Sequence, residues 1–89
     1  MARNAKYIIW DDGLNECVMI FSNHLNHAQV AFSMGIEPIS AGFVEFQSNP
    51  PDPTIKAVVS GESVSLKLKS RPEDSAIIQR DFRLNWSPK

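Results

Sequence analysis

The chain has little of several features that would assign it to a familiar class. Its 89 residues include one cysteine, Cys17, so no internal disulfide can form. Nine basic and ten acidic residues give a net charge of −1, which provides no overall attraction to nucleic acid. No apolar run is long enough to span a membrane, and the amino terminus has no signal-peptide pattern. These absences favour a protein of a reducing cytoplasm.

Motifs for catalysis and metal binding are also scarce. The sequence has neither a Gly-x-Ser-x-Gly elbow nor a phosphate-binding P-loop. His24 and His27 are spaced closely enough to share a metal, but only Cys17 could add a further ligand of the kind that structural zinc sites use. Asp11 and Asp12 precede a glycine, which is typical of a turn. We therefore expect no enzymatic activity, no cofactor and no metal site, and we interpret both histidines as surface or capping residues.

The most regular pattern begins at Ser63, from which polar and apolar residues alternate as far as Lys69. Strict alternation predicts a strand with one face on a core and the other in water. Ser70, with Glu73 at the i+3 position, then has the form of a capping box. The sequence therefore predicts a strand that runs directly into a helix, which Ser70 caps and which continues to Phe82.

The remaining segments predict a compact arrangement around this strand–helix unit. They are strands at Lys6–Trp10, Glu16–Ser22, Ile39–Phe46 and Ile55–Ser60, a short helix within residues 23–35, a loop at Gln47–Pro53 and a tight turn at Ser60–Ser63. Asn26 is the expected N-cap of the short helix, and Gly35 its left-handed terminator. The run from Glu16 is apolar enough to predict a buried central strand that forms a hairpin with the first strand. Gly42 marks a bulge or a close backbone approach in the third strand.

These elements predict one α+β domain covering residues 1–89. Its expected architecture is a mostly antiparallel five-stranded sheet in the order ββαβββα, with both helices on one face. From about residue 83 the alternation of Phe82, Leu84 and Trp86 with polar residues predicts either a short strand or an arm across a neighbouring molecule. Because the domain is small and Leu84 and Trp86 add apolar surface, we expect a homo-oligomer with these residues at its interface.

One cluster of basic residues is a candidate binding site. Lys67, Lys69 and Arg71 surround Ser70 where the predicted helix begins. Free N–H groups and the helix dipole favour an anion there, and arginine can bind phosphate with two parallel hydrogen bonds. The structural alternative is that Ser70 only caps its helix while the basic side chains are solvated. Pairing of Arg71 with a neighbouring carboxylate would favour that alternative.

Several segments together resemble small uncharacterised proteins that are carried by bacteriophages and prophages. They are His27–Ala31, Ile39–Val44, Ser63–Leu66 and Ser70–Asp74. The resemblance covers most of the chain, from about Phe21 to Phe82. It implies an accessory protein that works in the cytoplasm of a bacterial host, where such proteins often inhibit host defence, as anti-CRISPR proteins and sponges for nucleotide signals do.

The resemblance implies a non-enzymatic binding protein that antagonises a host defence system. Its partner would be a host defence protein or a cyclic nucleotide. On this view the shared binding surface would include Ser40 and Gly42, whose small side chains allow close approach, and the turn at Ser70–Asp74. The alternative is a nucleic-acid-binding or regulatory phage protein, which the net charge does not favour.

Overall fold

A computed structural model describes residues 4–49 and 52–85 and shows an α+β fold with antiparallel strands and two helices. The elements are β1 (Asn4–Asp11), β2 (Glu16–Phe21), α1 (His27–Met34), β3 (Pro38–Asn49), β4 (Asp52–Ser60), β5 (Glu62–Ser63), β6 (Leu68–Lys69) and α2 (Asp74–Asn85). The predicted α+β class is confirmed. Neither helix in the described part of the chain is long and apolar enough to cross a membrane.

The strands form two sheets, so the predicted single sheet of five strands is wrong. A four-stranded antiparallel sheet has the order β2-β1-β3-β4, and β5 pairs with β6 alone. The inner strands of the larger sheet are β1 and β3, and in β1 Tyr7, Ile8 and Ile9 are completely buried. The predicted hairpin of β1 and β2 is confirmed, but β2 is an edge strand and not the buried central strand that its apolar sequence predicted.

The two helices cover opposite faces of the larger sheet, whereas the sequence predicted both on one face. Tyr7 and Ile9 pack in one core with Ile78 of α2. Ile8 packs in a second core with Ala31 of α1. Because successive residues of a strand point to opposite faces, these two cores lie on either side of the sheet. The sheet is therefore shared by two small cores.

Helix α1 begins and ends where the sequence predicts. Asn26 has an extended backbone, and its side-chain oxygen accepts hydrogen bonds from the N–H groups of Ala28 and Gln29 at 2.8 and 3.3 Å. Gly35 is left-handed, with φ of 67°, and its N–H donates to the last turn of the helix. The predicted N-cap and terminator are both confirmed.

Strands β3 and β4 are longer than the sequence predicts. They extend to Asn49 and back to Asp52, so most of the loop predicted at Gln47–Pro53 is strand. Residues 50 and 51 lie outside the described residues. The longer pairing places Val44 opposite Val59 on the face that α2 covers.

The predicted strand from Ser63 to Lys69 is instead a short hairpin of β5 and β6. The chain reverses between them, and Lys67 takes a left-handed backbone with φ of 57°. Leu66 and Leu68 pack against the core beside α1, but Val64 is 82% exposed. The turn at Gly61 also leads into this hairpin and does not pair β4 with β5.

Helix α2 begins later than the sequence predicts and has a different cap. The N–H of Arg71 donates to Asp74 Oδ2 at 2.9 Å, which is the reciprocal half of a capping box centred on Arg71 and not on Ser70. The N–H of Ser70 instead extends the β5–β6 ladder to Gly61 O. The helix continues to Asn85, so the predicted arm begins as helix, and Trp86 lies outside the described residues.

Candidate functional site

Arg71, the centre of the predicted anion site, is paired with carboxylates. Its Nη2 lies 2.6 Å from Glu16 Oε1 on β2, and its Nε lies 2.8 Å from Asp74 Oδ1. Glu73 is a more distant third partner at 3.9 Å. Burial alone would lower the pKa of Arg71, but the hydrogen bonds with Glu16 and Asp74 outweigh it and raise the pKa. The guanidinium fixes the start of α2 to the edge of the sheet.

Behind Arg71 lies a buried hydrogen-bond network that also holds Tyr7 and Asp74. Both residues are completely buried, and the Tyr7 hydroxyl donates to Asp74 Oδ2 at 2.6 Å. Burial, followed by the bond to the Asp74 carboxylate, raises the pKa of the Tyr7 phenol far above its ordinary value, while a bond from the Ser70 side chain opposes the rise. Tyr7 therefore stays protonated and acts as a structural donor.

The other predicted anion ligands lie beside this network without completing a site. Ser70 is half-buried, and its side chain lies near enough to Tyr7 to affect the pKa of the phenol. Lys67 lies in the β5–β6 turn and Lys69 in β6, and both are exposed. The anion site stays a prediction, but the pairing of Arg71 is the arrangement that favours the structural alternative.

Ser40 and Gly42, predicted at an interface, are both buried inside one chain. A Cβ at Gly42 would lie 2.8 Å from Ser60 O and 3.1 Å from Ser70 Cβ, so glycine is required by close packing. The Ser40 hydroxyl has no hydrogen-bond partner among the described residues. Neither residue presents a surface to a partner, and Leu84 lies in the last turn of α2.

The two histidines have different environments. His24 is exposed, but His27 is 4% exposed and its Nε2 bonds Gly42 O at 2.9 Å, so its interpretation as a surface residue is wrong. The His27 ring also meets Phe21 and Phe43 edge-on at 5.5 and 5.8 Å. Burial lowers the pKa of His27, and the positive charge of nearby Lys6 lowers it further. Within residues 4–49 and 52–85, no group of His, Cys, Asp or Glu side chains is arranged to hold a metal ion.

A cleft of about 560 Å³ lies where β1 ends and α1 joins β3. Its lining residues include Trp10, which is half-buried, and three acidic residues, Asp11, Asp12 and Glu37, and we call it the acidic cleft. Gly35, at the C-terminal end of α1, also lines it, so the negative end of the helix dipole adds to the charge. None of its lining residues, all in the described part of the chain, is basic.

Local hydrogen bonds keep Asp12 ionised. The N–H groups of Leu14 and Asn15 each donate to its Oδ1 at 2.8 Å, and the Cys17 thiol lies 3.4 Å from its Oδ2. The bonds from Asn15 and Leu14, followed by that from Cys17, lower the pKa of Asp12. Burial raises the pKa of Cys17, and the hydrogen bond and negative charge of Asp12 raise it further. The raised pKa opposes formation of a reactive thiolate.

The acidic cleft has the composition of a site for an organic cation. Carboxylates attract a positive charge and accept hydrogen bonds, and the indole of Trp10 can support the cation through its face. The sequence correctly predicts the turn at Asp11 and Asp12, where the N–H of Gly13 donates to Asp11 Oδ1 at 2.7 Å. It gives no signal for the cleft, because Glu37 comes from a different part of the chain and only the fold brings it near.

Comparison with known proteins adds no relative to this description. No protein-family model, curated protein or solved structure matches the chain. The resemblance to phage proteins therefore stays a prediction, and the acidic cleft is the feature of the described residues from which a function can be argued.

Proposed function

We propose that this protein is a non-enzymatic binding protein whose acidic cleft receives a basic group of a protein partner. The observation that carries the proposal is the combination of Asp11, Asp12 and Glu37 with Trp10 in one cleft without a basic lining residue. A lysine or arginine side chain would place its cationic end among the carboxylates and its apolar stem against the indole. The resemblance to phage proteins supplies the context, in which the partner is a host defence protein.

Two features favour a protein-directed inhibitor over a nucleotide sponge. The acidic cleft repels phosphate, and Arg71 is already paired with Glu16 and Asp74. The same charges oppose a role in nucleic-acid binding, because phosphate contacts need unpaired lysine and arginine side chains. Oligomerisation and a site in the host cytoplasm remain part of the proposal.

The test is calorimetric titration with a short arginine-rich peptide. We expect the wild type to bind and the double variant Asp12→Asn, Glu37→Gln to bind at least about tenfold more weakly, since charge-assisted hydrogen bonds contribute roughly 1.5–3 kcal/mol each. Asparagine at position 12 keeps an oxygen for the turn, so the fold should persist. The matched control is Glu62→Gln, an exposed carboxylate on β5 outside the cleft, which should leave binding unchanged.

A second titration with cyclic dinucleotides separates the two kinds of partner. Heat with a nucleotide, lost in the double variant Lys67→Ala, Lys69→Ala, in which both exchanged side chains are exposed, would support the sponge. Equal affinity of the wild type and the double cleft variant for the peptide would overturn the proposed cleft.

A further inference from the structure

We propose that the outer edge of β2 is a self-complementary interface, through which two copies of this chain join their larger sheets. The proposal concerns the edge of the sheet and does not rest on the ligand of the acidic cleft. It starts from the position of β2, which pairs with β1 on one side only. An edge strand presents a row of backbone donors and acceptors that can pair with another strand.

The hairpin fixes which residues of β2 present these groups. The N–H of Asp12 donates to Asn15 O, so these two opposite residues form a hydrogen-bonded pair. Along an antiparallel ladder, opposite residues alternate between hydrogen-bonded pairs and pairs whose backbone groups point away from each other. The β1–β2 register continues from there without a bulge. Glu16, Val18 and Ile20 therefore direct their backbone groups away from β1. The hydrogen bond from Arg80 Nη2 to Glu16 O at 2.9 Å supports this assignment, because Arg80 lies on α2 and the Glu16 carbonyl must therefore point away from β1.

Four outward groups of β2 are symmetric about Met19. At the Glu16 end Arg80 occupies the carbonyl and only the N–H remains, whereas both the N–H and the C=O of Val18 and of Ile20 point outward, and no described residue bonds them. A second copy of β2 in antiparallel orientation would place its Ile20 opposite Val18 and its Val18 opposite Ile20. All four groups would be paired, and Met19 would face Met19 on the two-fold axis.

The side chains of β2 agree with such a contact. Met19 is 38% exposed, on the face that α2 does not cover, although it lies in the middle of an apolar strand. The strand has neither the proline nor the lysine that often protects a sheet edge from pairing. Its charged residue, Glu16, is bound by Arg71 and lies outside the four central hydrogen bonds. A second copy of β2 suits this edge because it is itself an apolar strand whose single charged residue, Glu16, lies outside the central hydrogen bonds, so Met19 can pack against Met19 with no charge between them.

The first experiment measures the mass in solution by size exclusion with light scattering. We expect the wild type to have about twice the 10.0 kDa mass of one chain at micromolar concentration. Met19→Lys should weaken the dimer about tenfold or more, since two like charges would face each other across the axis. The matched control is Phe32→Lys on α1, where an 89% exposed apolar residue receives the same charge and the mass should not change.

A cysteine experiment tests the register and does not depend on how the lysine variant folds. In a Cys17→Ser background, Met19→Cys should form a covalent dimer on mild oxidation, because facing residues of a non-bonded antiparallel pair lie about 4.5 Å apart at Cα, within disulfide range. Leu14→Cys, exposed at the tip of the hairpin, should not. A monomer at every concentration would overturn the proposal and indicate that another segment or partner covers the edge. A dimer that persists in Met19→Lys, together with a Met19→Cys variant that fails to cross-link, would overturn it as well.

Discussion

At the scale of single residues, Asp74 is the acceptor that joins the sheet to α2. It is completely buried and accepts from the Tyr7 hydroxyl and from both the backbone N–H and the Nε of Arg71. We expect Asp74→Ala to lower the free energy of unfolding by roughly 3–5 kcal/mol, because it leaves buried donors without a partner. Urea unfolding followed by circular dichroism measures this change.

The neighbouring Glu73 provides the control for Asp74. Its side chain is 61% exposed and lies 3.9 Å from Arg71, so the pair is weak. Glu73→Ala should change the free energy of unfolding by less than about 0.5 kcal/mol. Similar losses in the two variants would show that the buried network contributes no more than a surface charge.

His27 makes stability depend on pH. Because burial lowers its pKa in the folded state, the unfolded chain binds a proton more readily. The stability that neutral His27 provides is therefore complete above its unfolded pKa of about 6.5 and is lost as the pH falls through the lower folded pKa. Urea midpoints measured from pH 7.5 downward should fall with this dependence in the wild type and less steeply in His27→Gln.

His24 is exposed, so His24→Gln is the matched control for this pH series. Its midpoints should follow those of the wild type at each pH. A wild-type curve that matches His27→Gln in slope would show that His27 is not the source of the acid sensitivity.

At the scale of elements, the β5–β6 hairpin depends on a left-handed residue. Lys67 has φ of 57°, a region that costs an L-residue about 1–2 kcal/mol and glycine almost nothing. We expect Lys67→Gly to raise the free energy of unfolding by about 1 kcal/mol. Lys69→Gly, the same exchange within β6, should lower it by about 0.5–1 kcal/mol. Two changes of the same sign in urea unfolding would contradict this assignment of the turn.

The elements that the sequence predicts well are those with local determinants. Helix α1 is defined by the Asn26 side chain and the left-handed Gly35, both within one turn of its ends. The alternation from Ser63 to Lys69 is also local, but it does not distinguish a strand from a hairpin, because either can bury Leu66 and Leu68. The apolar sequence of β2 predicts burial and cannot show on which side a neighbouring strand is missing.

At the scale of the whole molecule, the arrangement of the elements was not predictable. Helices on opposite faces bury the same apolar residues as helices on one face, so the pattern of residues is compatible with both. The acidic cleft was not predictable either. Asp12 and Glu37 line it together only because the fold places the end of β1 beside the segment that joins α1 to β3. For Arg71, the sequence leaves pairing with a neighbouring carboxylate open, and Asp74 is such a partner, but its bond with Glu16 has no local signal because Glu16 is distant in sequence.

The two cores should unfold together, because β1 contributes to both. Tyr7 and Ile9 face α2, while Ile8 and Trp10 face α1. Ile78→Ala, at a completely buried position of α2, should cost about 2–5 kcal/mol. In a Trp86→Phe background, the fluorescence of Trp10 reports on the opposite face. If the sheet couples the cores, its urea midpoint should fall by the same amount as the midpoint from circular dichroism. A Trp10 transition that keeps its wild-type midpoint would show that the α1 side of the molecule unfolds independently.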